Sequence, residues 1–479
     1  MTIWTPDISG YEGPIYRALA DAIADAVSSG KLSEGERLPT HRDLAWRLGV
    51  TVGTVTRAYA LAQARGLISG EVGRGTYVLS KHDRSKVLPR MEAFNFPMAA
   101  FDRPGSGMEN PSGPIVMNQN FSADPWVSEL MAQVMQRLAD PSRLSALEGY
   151  LPSNGLQRHR AAARNWLQGF GIERDEESIL IVNGCQHGLS VAFMALARPG
   201  DTILLESLTW PGAKQMAEML GLKVAAVAID DQGILPDSFE AACRETAPRL
   251  LYTVPTLHNP TASVLSEERR RAIARIAGNH GVFIVEDDVF GYVVEDAPPP
   301  ISNFAPDLGI YVTSLSKPVA PILRAGFISA PAELVPRLAA AVRATALMPS
   351  PLNMELAAEL ILSGAAAVAA DRQRQKAAER QKMAADILGA AKRLSHPCGT
   401  HIWLALPPLW TGETFAAEAL ARGVAVTPGN AFAVEENANA RQAIRVCIGT
   451  ESNQERIRDG LEIVAGLLRS VPPAVESIV

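Results

Sequence analysis

From about residue 115 the chain alternates short apolar runs with amphipathic, helix-like stretches. Several of the apolar runs end on chemically reactive residues. The run SILIV leads into Asn183-Gly184-Cys185-Gln186-His187-Gly188, and DTILLE into Ser207-Leu208-Thr209-Trp210. RLLYTVP leads into His258-Asn259-Pro260, GVFIVE into Asp287-Asp288, and GIYVTSLS into Lys317. Strands that alternate with helices form a mostly parallel sheet. Ligands bind such sheets outside the carboxyl ends of the strands. Each motif alone reads as a turn, a helix cap, a core tryptophan or an exposed lysine. Five of them in order predict a single crevice.

The chemistry of that crevice comes from its residue types. Gly184-Cys185-Gln186 opens a helix, whose free N–H groups and positive dipole end suit a phosphate. Ser314 and Arg324 flank Lys317 and add hydroxyl and guanidinium contacts to the same anion. A buried Asp287 needs a cationic partner to stay charged, and a protonated pyridine nitrogen would serve. Trp210 offers a flat face to a ring. Lys317 beside cationic and apolar groups would have a depressed pKa and form a Schiff base. Phosphate, pyridinium, aldehyde and ring together describe pyridoxal 5'-phosphate.

The first eighty residues have another character. Apolar residues at 15, 19, 23 and 27 predict a helix from Pro14 to about Ser29. Thr40 caps a second helix, HRDLAWRLG, which ends at Gly49 and turns Leu44 and Leu48 inward. A third helix runs from Thr51 to Arg65 with Val52, Val55, Tyr59 and Ala62 toward a core; Thr51, Gly53, Thr54, Thr56 and Arg57 lie on its other face. Helix, short turn and helix form a helix-turn-helix, whose second helix enters the major groove. LISGEVGRGTYVLS then reads as a hairpin wing turning at Gly73-Arg74-Gly75. The whole chain has 45 Lys+Arg against 51 Asp+Glu, a net charge of −6. Residues 37–74 nevertheless carry six arginines against Asp43 and Glu71, a net +4. A basic segment in an acidic chain is either a nucleic-acid footprint or a solvated charged surface. A three-helix bundle with a hairpin and no nucleic acid would share the same pattern.

Residues 80–113, with KHDRSK and scattered Pro, Gly and Ser, lose periodicity and read as a linker. The expected layout is therefore a winged helix over 1–80, a linker over 81–113 and an α/β domain over 114–479. Cys185, Cys243, Cys398 and Cys447 are scattered, with no CxxC or Cys/His cluster, which predicts no metal site and no disulfide framework. The sequence shows neither an apolar stretch of membrane-spanning length nor a secretory signal, so no membrane partner and a cytoplasmic location are expected.

Residues 12–79 resemble the winged-helix domain of the GntR regulators. The matching runs are RLPTHRDLA (37–45), LGVT (48–51), TVTRAY (54–59), RGL (65–67) and GRGTYV (73–78). The resemblance implies that Arg42, the start of the third helix (Thr51, Gly53, Thr54, Thr56, Arg57) and the Arg74-Gly75 wing contact operator DNA. His41 departs from the family, which more often has Ser or Glu near there. Residues 115–470 resemble the fold-type I aminotransferases. A GntR domain fused to such a domain is identified as the MocR subfamily of transcription regulators. By that resemblance Lys317 is the Schiff-base lysine, Asp287 pairs with the pyridine nitrogen and Asn259 contacts the ring O3′ side. Trp210 stacks on the ring, and Cys185, Gln186, Ser314 and Arg324 form a phosphate cup. Arg445 holds the carboxylate of an amino-acid effector, and Tyr150 reaches the phosphate site of the second copy in a homodimer.

Two residues depart from the aminotransferase pattern. Phe290 stands where the family has a tyrosine, and it cannot donate a hydrogen bond to the cofactor, so proton-transfer chemistry should weaken. Ala262 follows Asn-Pro-Thr where the family prefers glycine. The sequence predicts a DNA-binding regulator that senses an amine or amino acid through aldimine formation on Lys317. A working aminotransferase with a DNA-binding domain, and a scaffold that has lost its cofactor, are the alternatives.

Overall fold

The computed structural model describes residues 4–8, 11, 14–64, 67–71, 75–79, 113–121 and 124–472. The chain divides into two compact units, Met1–Phe96 and Pro97–Val479. The boundary falls inside the expected linker, of which only residue 113 is among the described residues.

In the first unit α1 (Ile15–Ser28), α2 (His41–Leu48) and α3 (Val52–Ala64) precede the antiparallel strands β1 (Ile68–Glu71) and β2 (Gly75–Val78). Thr40 caps α2 by accepting from Asp43 N–H, and Gly49 ends it in the left-handed region at φ 64°. A glycine tolerates that conformation without the Cβ clash of other residues. Leu19, Ile23, Leu44, Val55, Tyr59, Ile68 and Val78 share one core. The Tyr59 hydroxyl donates to Pro39 O at 2.8 Å and ties α3 to the start of α2. Two expected core positions are corrected. Ile15 and Val52 are 49% and 45% exposed, because each opens its helix and projects beyond the end of the core.

The second unit is built on a seven-stranded sheet. Its order is Ile179–Val182, Gly326–Ser329, Gly309–Ser314, Phe283–Asp287, Leu250–Thr253, Thr202–Glu206 and Lys223–Val227. All strands run parallel except Gly326–Ser329, which is antiparallel to both neighbours. Strands buried on both faces need continuous apolar sequence, and ILIV and GIYVTS are buried throughout. A second, antiparallel sheet contains Arg393–Ser395, His401–Ala405, Ala443–Cys447 and Thr427–Pro428. It shares a core with the helices Ala365–Leu388 and Gln454–Leu468.

Close packing sets the position of the helix Cys185–Leu196 on the main sheet. A Cβ at Gly188 would lie 2.8 Å from Val312 Cγ1 and 3.1 Å from Val182 Cγ2. Alanine there gains about 1 kcal/mol of helix propensity but overpacks the contact at a cost of about 1–3 kcal/mol. Gly188→Ala should therefore lower the urea midpoint of the large unit. An unchanged or raised midpoint would show that the helix has room to move.

Candidate functional site

The strand ends converge on one cavity of about 420 Å³. Cys185, Gln186, Trp210, Asn259, Asp287, Ser314, Lys317, Arg324 and Arg445 all line it. Successive strand residues face opposite ways. Asp287 therefore faces this cavity, while Asp288 accepts from the Tyr311 hydroxyl at 2.8 Å and lines a separate hollow with Gly171 and Pro300.

One part of the cavity gathers groups that could hold an anion. The helix Cys185–Leu196 starts there with Gly184 as its cap residue, at φ 85° and without a capping side chain. Its first N–H groups have no intrahelical acceptor. Arg324 stands at φ 46° and its guanidinium lies over Gly184, with Nη2 2.7 Å from where a Cβ would be; the φ of 85° at Gly184 itself favours glycine there. Ser314 is buried in the same lining, and the buried Ser316 hydroxyl has no hydrogen-bond partner. Ser316 was missed in the sequence, although its position next to Lys317 on a site loop was a usable signal.

The same cavity holds a carboxylate whose side-chain hydrogen-bond partners are neutral. Asp287 accepts from the Tyr252 hydroxyl at 2.9 Å and the Cys185 thiol at 3.4 Å. Burial raises its carboxyl to about 6, against the lowering effect of those bonds. Burial, followed by the charge of Asp287, pushes the Cys185 thiol and the Tyr252 phenol up, so both keep the proton they donate. Lys317 is brought down to about 8, chiefly by burial. Its Nζ donates to the Asn120 carbonyl.

Above this floor Arg445 donates to Asn259 Oδ1 at 2.9 Å and to Asn118 O at 2.7 Å. Its guanidinium carbon lies 4.8 Å from the Phe432 ring centroid, and its buried Nε has no partner. His401 is held near 3 by burial and by Arg445, and so is neutral. Its Nε2–H donates to His258 O at 3.0 Å, while Nδ1 accepts from the Asn120 amide at 3.1 Å.

The departures from the family pattern have structural counterparts. Phe290 lines the cavity, with its ring centroid 5.9 Å from Lys317 Nζ. Tyr292 is buried in the core outside the cavity and supplies no hydroxyl there. Ala262 sits at φ 60°, a conformation that favours glycine. Trp210 flanks the cavity with its ring over Gly212, where a Cβ would come within 2.2 Å of it. Tyr150 is 87% exposed and does not line this chain's cavity.

In the first unit Arg42, Thr51, Gly53, Thr56 and Arg57 are exposed and Thr54 is half-buried. Thr51 Oγ1 accepts from Thr54 N–H at 3.2 Å and caps α3. The departing His41 places Nδ1 3.2 Å from Thr56 Oγ1 and its ring edge-on to Tyr59. Gly75 opens β2 at φ 118°, and Arg74 lies outside the described residues. No helix among the described residues is by itself long and apolar enough to cross a membrane, and they contain no metal-ligating cluster.

A helix-turn-helix with a hairpin wing, in one chain with an aminotransferase-type fold and a lysine–aspartate cavity, defines a class of regulator. Residues 15–78 match the gntR family of bacterial regulatory proteins, and residues 113–461 match aminotransferase class I and II. Relatives include the uncharacterized HTH-type transcriptional regulator YdeF of Bacillus subtilis, 29% identical over 97% of this chain and 96% of that one. The probable rhizopine catabolism regulatory protein MocR of Rhizobium meliloti is 29% identical over 77% of this chain and 76% of that one. Among solved structures, LysN, an alpha-aminoadipate aminotransferase of Thermus thermophilus, superposes with a TM-score of 0.68 at 24% identity. It covers 77% of this chain and 94% of that one, and establishes the fold. The chain belongs to the class I and II aminotransferase family and, with its gntR segment, to the MocR subfamily of transcriptional regulators.

A lysine attacks an aldehyde only as the free amine, so the free-amine fraction of Lys317 would govern such an attack. That fraction should rise through about pH 8, not through the ordinary lysine value of 10.5. The rate of visible-band formation with added pyridoxal phosphate, measured against pH, checks this. A midpoint near 10.5 would contradict the burial argument.

Proposed function

We propose that this regulator binds pyridoxal 5'-phosphate in the cavity, senses an amine or amino acid there, and binds operator DNA through its N-terminal unit. The observation that carries the proposal is the placement of Lys317, Asp287 and the Cys185 helix start around one cavity. The residues fit the cofactor. The uncapped helix start, Ser314, the unpartnered Ser316 hydroxyl and Arg324 would hold its phosphate. Asp287 would balance a protonated ring nitrogen, Trp210 would cover a ring face and Lys317 would hold the aldehyde carbon. When bound, the cofactor supplies an electrophilic carbon open to primary amines and a ring that draws electrons from it.

The chain's own residues determine how an amine is received. Arg445 is positioned to orient an incoming carboxylate. Tyr252 and Cys185 keep Asp287 hydrogen-bonded and ionised above about pH 6. Phe290 puts an apolar ring beside Lys317 in place of a proton donor, which favours sensing over turnover. A ligand shifts a conformational equilibrium only by binding its states unequally. The segment 118–120 supplies the carbonyls that hold both Lys317 and Arg445. Occupying these two cations would release bonds made by the stretch just after the proposed linker, residues 81–113. That stretch is where a signal toward the DNA-binding unit would start. The resemblance of residues 115–470 to the fold-type I aminotransferases also supports a homodimer, with Tyr150 exposed on each copy.

Full-length protein mixed with pyridoxal phosphate should develop a visible absorption band that Lys317→Ala lacks, while Lys317→Ala still binds duplex DNA. A wild-type protein without the band would contradict the cofactor proposal. On the DNA side, Arg57→Ala should weaken duplex binding and flatten the plot of log affinity against log salt by about one unit of slope, as expected for one lost phosphate contact. An unchanged slope and affinity would remove Arg57 from the interface.

A further inference from the structure

The lining of the cavity narrows the chemistry of the amine. We infer that the effector carries one carboxylate and an otherwise uncharged, largely apolar body; this rests on the cofactor reading above. Among the described residues, the cations lining the cavity are Lys317, Arg324 and Arg445. The first two are committed to the cofactor's aldehyde and phosphate ends. Arg445 is left for the effector: its guanidinium lines the cavity and is held in place by Asn259 Oδ1, Asn118 O and the Thr427 hydroxyl. The lining anion is Asp287, committed to the ring nitrogen.

Among the described residues that line the cavity around Arg445, none carries a charge to meet a second one on the effector. Thr427 lies opposite Arg445 in the sheet register. Val426, Ala431 and Phe432, all buried, continue the wall, and Phe432 lies under the guanidinium. Two neutral polar groups close to it are already engaged, and an uncharged group would not balance a second charge in any case. The Asn120 side chain is bonded to Thr400 and His401, and the Thr427 hydroxyl donates to Asn118 O. A second carboxylate or a second ammonium would be buried here without a counter-charge, which is strongly unfavourable. A compound with no carboxylate would leave Arg445 unused.

A set of amines of similar chain length tests this. Full-length protein carrying pyridoxal phosphate is titrated with L-norvaline, 5-aminopentanoate, L-glutamate, L-ornithine and butylamine, and the shift of the visible band is monitored. The better of L-norvaline and 5-aminopentanoate should half-saturate at a concentration at least tenfold below each of the other three. Arg445→Gln should narrow the gap between that compound and butylamine while the resting band remains. Glutamate or ornithine binding as tightly as the monocarboxylates would overturn the inference alone, because a second charge would then be met from outside this lining. No response to any of the five would overturn it as well. A protein with no visible band before any amine is added would overturn the cofactor reading, and this inference with it.

Discussion

Asp287 is the constraint around which the large unit is arranged. It ends a strand at the centre of the main sheet, 6% exposed, and its hydrogen bonds come from a phenol and a thiol rather than a cation. A buried ionised carboxylate is costly until an opposite charge joins it. The elements around it fix where that charge must sit. Gly188 lets the Cys185 helix lie close to the sheet, and Arg324 folds over Gly184 to define the anion end. Lys317 emerges from the neighbouring strand with its charge weakened by burial. The proposed ligand, with a phosphate, a cationic ring nitrogen and an aldehyde, would satisfy all three positions together.

Much of the cavity was legible in the sequence because a residue placed directly after a parallel strand must lie at that strand's carboxyl edge. Cys185, Trp210, Asn259, Asp287 and Lys317 all come after apolar runs, and the topology left them one edge to share. The residues that sequence reading missed are hidden for physical reasons. Tyr252 lies within a strand and reads as an ordinary β residue; its hydroxyl matters only because Asp287 is on the adjacent strand. Asn118 and Asn120 act on Arg445 and Lys317 through main-chain carbonyls, which no side-chain pattern reveals. His401 stands behind the cavity on the second sheet and holds the Asn120 side chain, so its role depends on how two sheets meet.

The first unit shows the same division. Its capping residues, Thr40 and Gly49, announce themselves because a helix end needs a side-chain acceptor or a left-handed residue. Ile15 and Val52 fit the apolar period but open their helices, so periodicity placed them in a core they do not reach. His41 departs from the family pattern, and no spacing or periodicity signals its contact with Thr56 on the adjacent helix. That contact joins the two helices of the helix-turn-helix at the expected DNA face.

Covalent attachment of the cofactor to Lys317 is central to this account, and reductive trapping tests it most directly. The full-length protein is incubated with pyridoxal phosphate, reduced with borohydride, digested and mapped by mass spectrometry. One dominant phosphopyridoxyl-modified peptide is expected, with the modification on Lys317. Modification spread over surface lysines, or none on the Lys317 peptide, would contradict it.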